Sequence, residues 1–138
     1  MPVLASLLVT ASATIGLLLG GLHLLYTFQG DKLQPRDPAV REAMERTPPR
    51  ITRQTTLWRA WVGFNASHSL GLILFGLIYG YLALAAPALL FGSIFLRVLG
   101  LAALLAYVAL ARLYFFKVPF RAVLLATTLY VAGLAVAL

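Results

Sequence analysis

The sequence predicts an all-α protein: a four-transmembrane-helix bundle with a short cytoplasmic surface helix between spans one and two. Three observations predict it. Of 138 residues, 62% are hydrophobic and 11% charged, against about half apolar and a quarter charged in soluble domains. The apolar residues gather into four runs, each near or above the roughly 20 residues a helix needs to cross about 30 Å of hydrocarbon. Ten of the eleven basic residues lie in two short segments between those runs, where positive charge sets membrane orientation. The formal charge of +7 is therefore assigned to topology, and nucleic acid is excluded as a partner. The chain reads as one integral membrane domain over 1–138. It has no Cys, so disulfides, thiolate metal sites and cysteine nucleophiles are excluded.

Span one is read over Val3–Phe28. Its Ala11-Ser12-Ala13 resembles a signal-peptide cleavage site, but no basic segment precedes it and the apolar run continues beyond it, so a retained membrane helix is expected. Ser12, Gly16, Gly20 and His23 form a small-residue stripe that ends in a histidine, and such stripes let helices approach closely. Residues 29–57 form a cytoplasmic loop holding all four acidic residues. Within it, Asp37-Pro38 reads as an N-cap and first helical position. Val40 and Met44 share a face, and Thr47-Pro48-Pro49 ends the helix.

Span two is read over Trp58–Ala86, with Trp58 and Trp61 marking one interface and Tyr79 and Tyr81 the other. Gly76 and Gly80 give it a second small-residue stripe. Span three is read over Ala88–Phe116, with Arg97 reaching the outer boundary to snorkel toward the headgroups. Span four is read over Phe120–Leu138. The seven cations at the first junction and Arg112, Lys117 and Arg121 at the third, against Arg97 alone on the other side, place both junctions in the cytoplasm. The expected location is the plasma (inner) membrane, multi-pass, with both termini outside the cytoplasm.

The stretch WVGFNASHSLG, Trp61–Gly71, sets an Asn, a His and two Ser inside span two. Counted from the cytoplasmic boundary at 1.5 Å per residue, His23, Asn65, His68, Arg112 and Thr127 all fall within roughly 7 to 13 Å. Asn65 and His68 share a face with Trp61. The group is expected to face the bundle interior, since ionisable residues within a membrane are functional candidates by default. His23, Tyr26, Trp61, Asn65, His68, Arg112 and Thr127 are therefore the candidate ligand-binding residues. Ser67 and Ser69 are expected to bond helix to helix, and no metal site is expected.

The stretches HLLYTF, His23–Phe28, and WVGFNASHSLG together resemble a family of small, uncharacterised bacterial four-helix integral membrane proteins. The resemblance implies the same four-helix architecture and implies no activity.

Three functions fit the residues. The first is a lipid-binding or hydrophobic-ligand-binding pocket, or an accessory subunit docking a membrane-protein partner or a second copy; it needs no acid–base pair, and no span contains Asp or Glu. The second is a membrane enzyme acting on a lipid or isoprenoid, with His68 as general acid or base and Asn65 and Arg112 orienting polar atoms. The third is a haem protein with His23 and His68, the two histidines of the chain, as axial ligands.

Overall fold

The computed structural model describes residues 2–137. Leu138, the expected end of span four, lies outside the described residues. Among the described residues there are six helices and no strand: α1 Pro2–Phe28, α2 Pro38–Arg46, α3 Leu57–Ala85, α4 Pro87–Gly92, α5 Ile94–Tyr114 and α6 Lys117–Ala137. Four of them, α1, α3, α5 and α6, are long and apolar enough to cross a membrane. Each turns large apolar side chains outward, among them Leu18, Leu77, Leu105 and Leu125. Soluble monomers rarely carry such continuous apolar surface, and the architecture is that of a multi-pass membrane protein.

The expected third span, Ala88–Phe116, is corrected to Ile94–Tyr114. Ser93 adopts an extended backbone and its Oγ accepts from the Leu96 N–H, which caps a new helix and detaches the six-residue α4. The remaining 21 residues still span about 31 Å. Span four begins earlier than expected, at Lys117. Pro119 sits in its first turn, where a missing N–H costs nothing. Span two ends at Ala85 because Pro87 keeps Ala86 from helical geometry.

Cα packing divides the chain into two compact units: Met1–Leu19 with Leu72–Leu138, and Gly20–Gly71. In the larger unit, Val9, Ala13, Phe75, Tyr79, Leu90, Leu104, Ala126 and Tyr130 form the core. Small residues set the spacing there. A Cβ on Gly76 would stand 2.7 Å from the Ala13 carbonyl oxygen and 2.9 Å from the Leu17 nitrogen, so α3 lies against the backbone of α1. Gly16 of the predicted stripe is buried and faces the Phe75 ring and the Leu72 carbonyl of α3. Gly133 brings α6 against Ala5, Leu8 and Val9.

Tyr79, expected at an interface, is a core residue. It is 5% exposed and stacks on Phe75 with ring centroids 4.8 Å apart. Its hydroxyl donates to the Leu96 carbonyl at 2.8 Å, while Tyr130, 0% exposed, donates to the Arg97 carbonyl at 3.1 Å. Gly100 makes this possible, because a side chain there would meet both tyrosine rings. Arg97 is half-buried, and its Nε is enclosed without a hydrogen-bond partner.

In the smaller unit, α1 ends at Phe28 and Gly30 takes the left-handed conformation, φ 81°, which glycine adopts without a Cβ penalty. Asp37 caps α2 through its bond from the Ala39 N–H at 2.9 Å, and Thr47 closes the helix. No residue of α2 is buried. Two i,i+4 ion pairs, Arg41–Glu45 and Arg46–Glu42, run along it.

Candidate functional site

The Gly20–Gly71 unit brings together five of the seven candidate residues. His23 and Tyr26 lie on the last turns of α1; Trp61, Asn65 and His68 lie on one face of the first turns of α3. Asn65 organises them. Its Nδ2 donates to the Trp61 carbonyl at 2.8 Å. That leaves Oδ1, an acceptor, facing His23 Nε2 at 2.9 Å, so Nε2 must carry the proton. The relay runs from imidazole to amide to backbone. The His68 ring meets the His23 ring edge-on, with centroids 5.3 Å apart and planes at 69°.

Beside this network opens a cavity of about 230 Å³. Tyr26, Phe28, Trp58 and Trp61 supply aromatic wall, Leu33 and Val62 aliphatic wall, and Asn65, Thr27, Gln34 and Arg41 the polar atoms. The walls are held in place. Trp61 Nε1 donates to the Leu33 carbonyl at 3.0 Å. Arg41 lies over the Trp58 ring at 3.7 Å and donates to Gln34 Oε1 at 2.7 Å. Lys32 covers the Tyr26 ring at 4.0 Å. Asn65 is thus both a lining residue of the cavity and the partner of His23.

Gln34, Arg41 and Trp58 were not among the sequence candidates. A signal for Trp58 was present: Trp58, Trp61, Val62 and Asn65 follow the i, i+3, i+4, i+7 spacing of one helical face. Gln34 and Arg41 join through the fold of the loop, which no local pattern encodes.

The two serines do not bridge helices as expected. Ser67 Oγ donates to the Phe64 carbonyl at 3.0 Å and Ser69 Oγ to the Asn65 carbonyl at 2.9 Å. In hydrocarbon, a carbonyl of the preceding turn is the nearest acceptor for a hydroxyl. Arg112 and Thr127 belong to the other unit. Thr127 is buried and donates to the Val123 carbonyl of its own helix at 2.8 Å. Arg112 is exposed at the α5–α6 turn. Among the described residues, no group of three or more His, Cys, Asp or Glu is placed to hold a metal ion.

No protein-family model, curated protein or solved structure matches the chain.

Proposed function

We propose that this membrane protein binds the polar end of a lipid or other hydrophobic ligand in the aromatic-walled cavity of the Gly20–Gly71 unit. The observation that carries the reading is the double role of Asn65, which borders the cavity and accepts from His23. An amide held by an imidazole offers a ligand a fixed polar contact on an apolar wall, the usual design of small-molecule sites. At about 230 Å³, the cavity is smaller than the roughly 300 to 1,000 Å³ of drug-sized sites. It suits a headgroup, a ring or the end of an isoprenoid, with the rest of the ligand outside in the bilayer.

The excess of basic residues at the first and third junctions supports a cavity near the cytoplasmic face, with both termini outside. Membrane lipids are then the natural partners, and the kinship with small bacterial four-helix membrane proteins belongs to the same proposal. Binding is favoured over catalysis by His68 because no carboxylate in any span can orient the imidazole or share its proton. It is favoured over bis-histidine haem because the His23 and His68 rings touch each other directly, whereas axial ligands face one another across the iron and its porphyrin.

The test pairs a variant that fills the cavity without touching the relay with one that breaks the relay. Wild-type protein extracted in mild detergent should retain a hydrophobic small molecule detectable by mass spectrometry. Val62→Trp should lose it while keeping its thermal stability, and Asn65→Leu should lose it along with some stability. Undiminished retention by both variants would refute the site.

A further inference from the structure

We propose that the α5–α6 turn is a second binding site, which holds the phosphate of one anionic phospholipid among Arg112, Lys117 and Arg121. These side chains border a cleft of about 360 Å³ that also includes Phe116 and Phe120. The inference does not depend on the cavity of the Gly20–Gly71 unit.

Unbalanced charge is the first argument. Lys117 and Arg121 stand one turn apart on α6, where like charges repel, and Arg112 adds a third cation at the same cleft. Residues 72–138 contain no Asp or Glu. Among the described residues, none of the three cations forms an ion pair or donates a side-chain hydrogen bond; Arg112 has only the Phe120 ring, 6.0 Å away. Two basic residues elsewhere, Arg41 and Arg46, each have a glutamate one turn away, an arrangement that the sequence of α5 and α6 does not allow. The unit that contains the α5–α6 turn, residues 1–19 and 72–138, supplies no side-chain carboxylate as counterion.

Surroundings identify its source. Tyr114 is 73% and Phe116 71% exposed beside the cations. Aromatic side chains next to cations at the junction of two membrane spans mark headgroup depth. A phospholipid meets both requirements, with its phosphate on the guanidinium and ammonium groups and its acyl chains along the apolar flank. A free phosphate would satisfy the cations and leave the rings in water. A zwitterionic lipid would bring its own ammonium into a site that already holds three cations.

Native mass spectrometry of the full chain in detergent, titrated with phosphatidylglycerol or phosphatidylcholine of identical acyl chains, tests the proposal. The wild type should show a saturable one-to-one adduct with phosphatidylglycerol and prefer it to phosphatidylcholine. Each Gln replacement of Arg112, Lys117 or Arg121 should weaken that adduct about fivefold, the equivalent of about 1 kcal/mol per interfacial cation. The triple variant Arg36→Gln, Arg50→Gln, Arg53→Gln removes equal charge from exposed loop positions and should keep the adduct. Should the triple change at the turn unfold the protein, Lys117→Gln alone carries the test, since that side chain is exposed. Equal losses in the turn and loop variants would mean diffuse attraction and overturn the site. Displacement of the lipid by inorganic phosphate, or equal binding of the two lipids, would overturn the lipid assignment.

Discussion

Gly100→Ala should be among the most damaging single-methyl additions in the protein. The new Cβ would lie 2.6 Å from Tyr79 Cε1 and 2.7 Å from Tyr130 Cζ, and closer still to the Tyr130 hydroxyl oxygen. Neither ring can step aside freely. Tyr79 is stacked on Phe75, Tyr130 meets Tyr79 edge-on at 5.7 Å, and both hydroxyls are bonded to α5 carbonyls. Overpacking of a filled core costs roughly 1 to 3 kcal/mol. Displacing the rings also breaks two interhelical hydrogen bonds, each about 0.6 kcal/mol by membrane double-mutant cycles. The expected loss is therefore about 2 to 4 kcal/mol. Tyr130→Phe alone should cost only about 0.6 kcal/mol. Because it removes the atom nearest the new methyl, the double variant should lose less than the two singles summed. Reversible unfolding in mixed micelles by increasing SDS fraction measures all three. A Gly100→Ala protein within about 0.5 kcal/mol of wild type, a change ordinary for surface sites, would refute the close packing of these tyrosines on α5.

Gly76→Ala should destabilise more than Gly16→Ala in the same assay, because its Cβ meets α1 backbone at 2.7 and 2.9 Å, whereas that of Gly16 meets a rotatable Phe75 ring at 3.3 Å; the reverse order would show that α1 can recede. Asp37→Ala should cost α2 its cap, about 1 kcal/mol, visible as faster amide exchange over residues 39–41 with the membrane helices unaffected. Cysteines at Asp31 and Val118 should react with an impermeant maleimide only after the cytoplasm is opened, and labelling of position 31 in intact cells would overturn the orientation inferred from the basic residues.

Much of the fold was legible because hydrocarbon imposes a length requirement that four apolar runs meet. The surface helix was legible because Asp37-Pro38 and Thr47-Pro48-Pro49 are strong local signals. The break before α5 was not read, since hydropathy barely changes across Leu89–Leu96. The signal there was the hydroxyl of Ser93, a possible N-cap in an apolar run. The burial of Tyr79 was not read because depth along a helix was considered without helical phase. Leu72, Phe75, Gly76, Tyr79 and Ala83 lie on one buried face, and that periodicity was available. What it could not disclose is Gly100, whose role exists only once α5 stands beside both tyrosines. At the candidate site, shared face and depth pointed to His23, Asn65 and His68, while the bond directions within the group needed coordinates.

Those bond directions separate two kinds of polar group in the apolar helices. The hydroxyls of Thr14, Thr27, Ser67, Ser69, Thr127 and Thr128, exposed or buried, all end on carbonyls one turn back in their own helix. They solve their own desolvation problem and specify little about tertiary structure. Tyr79 and Tyr130 instead bond to another helix, in a core that leaves Tyr130 fully enclosed. With no space beside them, their hydrogen bonds serve cohesion. The His23–Asn65 bond also joins two helices, but Asn65 borders open volume. A polar pair at the edge of a cavity can extend its hydrogen bonding to an incoming molecule without dismantling the fold. Cohesion and ligand binding are therefore separable by mutation: changes at Tyr79, Gly100 or Tyr130 should act on stability first, and changes to the cavity wall at Val62 on what the protein retains.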